Sequence, residues 1–85
     1  MVHSIPVISL FDSGASNYYI STRFVMMHFI PCNDMDTQLE ISTRNRVITT
    51  SRVCKSCSVE VCGRQLRADM FMIDTGGYDV ILGMT

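Results

Sequence analysis

Apolar residues fall in short runs along this chain, separated by small or polar breaks. Ile5 to Phe11 is β-branched and aromatic, and that composition predicts a buried strand. The small residues Ser13 to Ser16 end it. Asn17-Tyr18-Tyr19-Ile20 is short and β-favouring, and Ser21 or Thr22 stands where a cap belongs for a brief helix over Arg23 to Phe29, stopped by Pro31. Asn33-Asp34-Met35-Asp36 reads as a turn, and Leu39-Glu40-Ile41 alternates as a strand does.

The second half alternates more regularly. Polar Ser42 to Arg46 separates Leu39-Glu40-Ile41 from Val47-Ile48-Thr49-Thr50, which predicts a hairpin whose tip includes Asn45, the residue there best suited to a positive φ. A second hairpin is expected from Ser58-Val59-Glu60-Val61 and Leu66 to Met70, turning at Cys62-Gly63-Arg64 and continuing through Phe71-Met72-Ile73. After a turn at Asp74-Thr75-Gly76-Gly77, Tyr78 to Gly83 reads as a last buried strand, with Asp79 at the turn or the strand edge. Many short strands with tight turns predict one mostly β domain over residues 1–85, barrel-like or a sandwich.

Composition narrows the function classes. The net charge is -1, and the arginines and Lys55 are interspersed instead of forming a basic block, so nucleic acid is not an expected partner. The apolar runs are too short for a membrane-spanning helix. Met1-Val2-His3-Ser4 lacks the basic-then-apolar order of a secretory signal, as would a fragment cut from a longer chain, the reading preferred here. With 85 residues, about 60 to 65% of the unfolded surface is buried on folding. Small size and seven methionines therefore favour an exposed apolar interface and self-association.

Chemistry-bearing residues are few. Cys54-Lys55-Ser56-Cys57 has the spacing of half a zinc knuckle or a redox motif, but there is no second such pair and no helix signal after it. On a regular strand, positions i and i+3 face opposite ways. Cys54 and Cys57 are accordingly expected as structural or surface thiols, with zinc and redox readings as the lesser alternatives, and the sequence leaves the redox state of Cys32, Cys54, Cys57 and Cys62 open. His3 and His28 read as a terminal and a helix-face residue, and Asp34 and Asp36 as turn residues. Asp12-Ser13-Gly14-Ala15-Ser16 stands apart, because the Ile5 to Phe11 strand delivers a carboxylate onto a small-residue loop. There the apolar strand is expected to screen Asp12 from water, Gly14 to allow close backbone approach, and Ser13 to tie the loop down.

With Leu10-Phe11-Asp12-Ser13-Gly14-Ala15-Ser16, Ile20-Ser21, Thr50 to Cys57, and Tyr78-Asp79-Val80-Ile81-Leu82-Gly83-Met84 in place, nearly the whole chain resembles the retropepsin-like aspartic protease of gypsy-type retrotransposon gag-pol polyproteins, particularly those of plants. The resemblance implies a small closed β-barrel with one short helix. It implies that Asp12 is catalytic, that Ser13, Gly14 and Ala15 complete the active-site loop, and that Ile81-Leu82-Gly83 forms the supporting strand. The hairpin tip at Arg44, Asn45 and Arg46 would be the flap that closes over a peptide. Asp74-Thr75-Gly76 repeats the tripeptide, but 62 positions cannot hold a full first lobe of a two-lobed protease, so a turn is expected there.

The implied enzyme is a homodimer without metal or cofactor, cutting extended peptide segments of a polyprotein. Two carboxylates about 4 Å apart repel by roughly 4 kcal/mol at an effective dielectric near 20, so the Asp12 pair would share one proton. The ionised member then takes a proton from water while the protonated member polarises the scissile carbonyl. Two departures motivate an alternative, a catalytically silent domain used for binding or dimerisation. The flap tip contains no glycine, and Gly83-Met84-Thr85 stands where the family continues Gly-Met-Asp-Trp-Leu, which reads as truncation at the C-terminus.

Overall fold

A computed structural model describes residues 2, 5–12, 14, 17–42, 47–61 and 63–83. Six strands and one helix follow in order: β1 (Ser9–Asp12), β2 (Tyr18–Ser21), α1 (Thr22–His28), β3 (Asn33–Ser42), β4 (Val47–Val61), β5 (Arg64–Ile73) and β6 (Val80–Gly83). The strands form one sheet in the order β1-β6-β2-β5-β4-β3. Its last three members, β5-β4-β3, are an antiparallel meander, whereas β1 pairs with β6 and β2 with β5 in parallel. Strand β6 lies between β1 and β2, antiparallel to β2, with Tyr19 opposite Ile81 and Ile20 opposite Val80.

The closed barrel expected from the resemblance is not what these strands make. The described sheet is open, with β1 at one edge and β3 at the other. The expectation of a buried first strand is corrected as well. As an edge strand, β1 is covered on one side only by β6, and Ile8 and Phe11 are exposed at 63% and 51%. Val80 and Leu82, one strand further in, are buried instead.

The core gathers Val2, Ile20, Phe24, Val25, Ile30, Cys54, Cys57, Val59, Met70, Val80 and Leu82. Val2 reaches it by bridging Val59 of β4. Helix α1 forms where the cap signal places it: Ser21 is extended, and its Oγ accepts the Phe24 N–H at 3.3 Å, satisfying one donor of the first turn. Phe24 and Val25 are the helix's buried residues. The helix ends before Pro31, at Phe29, which takes a left-handed conformation (φ 54) and donates its N–H to the Val25 carbonyl.

The meander departs from the sequence reading in two places. The turn expected at Asn33 to Asp36 is strand: Asn33 lies opposite Val53 and Asp34 opposite Arg52, with an Asp34–Arg52 ion pair at 3.3 Å and an irregularity between Asp34 and Leu39. Cross-strand pairing there overrides the turn preference of Asn and Asp. The second departure lies in β4, whose register with β5 shifts between Cys54 and Cys57. Ser56 has φ 49 at this irregularity, its N–H donates to Asp69 Oδ1 at 2.9 Å, and Arg67 Nη1 donates to its carbonyl at 3.4 Å. An inserted residue reverses the alternation of faces. Cys54 and Cys57 consequently both point into the core, each 1% exposed, and the expectation that they face opposite ways fails.

Cys54 is joined to Cys32 in a disulfide with a Cα–Cα distance of 4.2 Å, while Cys57 is a free, buried cysteine. Val61 lies opposite Arg64, and Gly63 between them adopts φ 77, a conformation costly for residues with a Cβ. Cys62 and His3 lie outside the described residues.

Candidate active site

The candidate site is built where β1 ends. Ser9, Leu10, Phe11 and Asp12 stand opposite Val80, Ile81, Leu82 and Gly83, so the last pair of this short parallel ladder sets Asp12 beside Gly83. Immediately past the strand, Asp12 Oδ1 accepts the Gly14 N–H at 2.9 Å. This side-chain turn fixes one carboxylate oxygen against its own backbone. Asp12 and Gly14 are both exposed, and the neighbouring Phe11 is half exposed. The apolar screening of Asp12 expected from its strand is therefore not supplied by the described residues of the chain.

Gly14 is less constrained than the sequence reading expects. A Cβ built on it would meet Asp12 Oδ1 at 3.4 Å, an ordinary contact, and its φ is not positive. Nothing described in the protomer requires glycine at this position. Ser13 and Ala15 of the loop lie outside the described residues, as does the expected flap tip, Arg44, Asn45 and Arg46. The arms that lead to that tip are described, and they pair antiparallel up to Ser42 opposite Val47. At their base Thr50 is buried; its Oγ1 donates to the Met72 carbonyl at 2.6 Å, holding β4 to β5.

On the strand beside the loop, Leu82 is buried while Ile81 and Gly83 are half-buried. Asp74-Thr75-Gly76 forms the expected turn, and it repeats the local geometry of the first tripeptide: Asp74 Oδ1 accepts the Gly76 N–H at 3.1 Å. Thr75 Oγ1 also donates to the Tyr78 carbonyl. Gly76 and Gly77 both have positive φ, at 79° and 150°. The two tripeptides thus share a turn and differ in what lies next to them, since Asp12 ends a strand paired with β6 whereas Asp74 leads out of β5 into a bend.

One residue near the site escaped the sequence reading beyond its place at a turn or edge. Asp79 donates its N–H to the Ile8 carbonyl at 2.8 Å and accepts the Ser21 N–H on its own carbonyl at 2.8 Å. Its Oδ2 accepts the Ile8 N–H at 2.8 Å. The only signal in the sequence is an acidic residue at the head of an apolar run, which does not name a partner 71 positions away.

Among the described residues, no three His, Cys, Asp or Glu side chains gather as metal ligands, and no helix is long and apolar enough to cross a membrane. His28 packs its ring against Phe24, with centroids 4.5 Å apart. A family model described as retroviral aspartyl protease matches residues 1–85. The chain belongs to that family. No curated protein and no solved structure matches at the stringency applied. Retroviral aspartyl proteases of the retropepsin type generally act as dimers on polypeptides, and family membership makes aspartic endopeptidase the activity to expect.

Proposed function

We propose that this chain is a homodimeric aspartic endopeptidase that cuts extended segments of a retroelement polyprotein. A gypsy-type gag-pol product of the plant kind is the source the sequence resembles. The observation that carries the proposal is the position of Asp12, exposed at the end of an edge strand, turned onto Gly14 and set opposite Gly83. A carboxylate so placed is open to a second chain, and the exposed Phe11 beside it offers apolar surface to the same partner.

In the dimer, Asp12 and the partner's Asp12 would face one water molecule and share a proton, because both cannot ionise at such short range. The ionised carboxylate takes a proton from water as the hydroxyl oxygen attacks the carbonyl carbon. The protonated one hydrogen-bonds to the carbonyl oxygen. Ser13 and Ala15 complete the loop in this reading, Ile81, Leu82 and Gly83 support it, and Arg44, Asn45 and Arg46 close over the peptide. Neither metal nor cofactor takes part.

The test is cleavage of a casein peptide mixture from pH 3 to 8 by wild type and Asp12→Asn, with sedimentation to give the mass. Wild type should sediment as a dimer and cut best in acid. Asp12→Asn should lose at least about a thousandfold in kcat, since it removes the group that exchanges protons with water. A wild type that is dimeric yet cuts nothing at any pH supports a silent dimerisation domain instead. A monomer that cuts nothing removes the protease reading and leaves a silent binding domain.

A further inference from the structure

The ladder that positions Asp12 is short. β1 contributes four residues and, among the described residues, pairs with β6 alone, so its register there is fixed by few backbone bonds and by no second described neighbour. A slip of one residue would move Asp12 along the strand by about 3.4 Å and turn its side chain to the other face. Something must hold β1 in register.

Asp79 stands at the entry to this ladder, one residue before the Ser9–Val80 pair. Its main chain and side chain together grip Ile8: the Asp79 N–H donates to the Ile8 carbonyl, and the Ile8 N–H donates to Asp79 Oδ2, both at 2.8 Å. The Val80 N–H shares the Ile8 carbonyl at 3.3 Å. The Asp79 carbonyl meanwhile accepts the N–H of Ser21, whose own Oγ caps α1. One residue therefore ties β1 to β6 and to the β2–α1 junction. Without its carboxylate, the Ile8 N–H keeps no protein acceptor described here, and β1 is held at this end by Ile8's carbonyl alone.

We infer that Asp79 is a positioning residue, whose carboxylate locks the register of β1 against β6 and so holds Asp12 opposite Gly83. It acts through Ile8 and touches no reacting atom. The inference rests on the protease reading for its effect on catalysis, but the register lock itself does not depend on that reading.

Asp79→Leu removes the acceptor at similar size, and Asp79→Asn restores an oxygen that can accept the same N–H. Two quantities are compared: amide hydrogen exchange at Ile8, and kcat and KM on the casein peptide that wild type cuts fastest. In Asp79→Leu the Ile8 amide should exchange about tenfold faster, and kcat should fall by about tenfold with KM within twofold of wild type. Asp79→Asn should bring both back to within about threefold. Should Asp79→Leu fail to fold, Asp79→Ala removes the half-buried carboxylate with little packing and takes its place. The inference is overturned if Ile8 exchange is unchanged in the variant lacking an acceptor, or if Asn rescues neither quantity. If wild type cuts no peptide, the protease reading fails separately, and Ile8 exchange with its rescue by Asn decides the register lock.

Discussion

Cys57 is 1% exposed among core side chains, and loss of water around its sulfur pushes the thiol above its ordinary value of 9.0. The unfolded thiol ionises near that value and the folded one only at higher pH, so above about pH 9 the folded state holds the proton more tightly. Stability present below pH 9 must therefore decline as pH rises, by at most about 1.4 kcal/mol per unit from this group. Urea melts at pH 7, 9 and 10 should show a steeper decline for wild type than for Cys57→Ala. Parallel declines would rule the thiol out as the cause. The same scale shows what one sequence can disclose about single residues. Asp12-Ser13-Gly14 and Ile81-Leu82-Gly83 stand out by local pattern, and the structure sets Asp12 opposite Gly83 at the end of one ladder. The grip of Asp79 on Ile8 does not stand out, because it is a contact between positions far apart with no local pattern of its own.

Among the elements, α1 was legible because its signal is local: Ser21 supplies the cap and Phe24 and Val25 the buried face. The first strand was legible as a strand but not as an edge, since apolar composition does not reveal how many neighbours cover it. The irregularity at Ser56 was hidden for a similar reason, its stabilising partners being Asp69 and Arg67 on the next strand. That irregularity turns Cys54 inward, where it bonds Cys32 across the base of the β3–β4 pair, beside Asn33 opposite Val53. A crosslink spanning 22 residues lowers the entropy of the unfolded chain enough to contribute about 3 kcal/mol in the chain-entropy picture. Reduction should lower the stability measured in urea by that amount. An unchanged unfolding curve, with thiol titration confirming reduction, would show that the crosslink contributes nothing.

For the molecule as a whole, the family and the mostly β class were legible, while the open sheet was not, because closure depends on how the edge strands end up placed. The β1–β6 pairing has a consequence for how the chain assembles. The β3–β4–β5 meander joins consecutive strands, with Val61 of β4 opposite Arg64 of β5, whereas β1 and β6 meet across 71 positions. Closing the longer loop costs more entropy before any contact repays it, and non-local pairings form slowly. We expect the meander to form first and the strand bearing Asp12 to dock last. In pulsed hydrogen exchange during refolding, the Val59 and Phe71 amides should gain protection before that of Leu10; simultaneous protection would refute the order. A newly made chain would then pass through a stage with most of its sheet in place and its carboxylate still unaligned, so that, under the proposed function, folding itself would delay the onset of proteolysis.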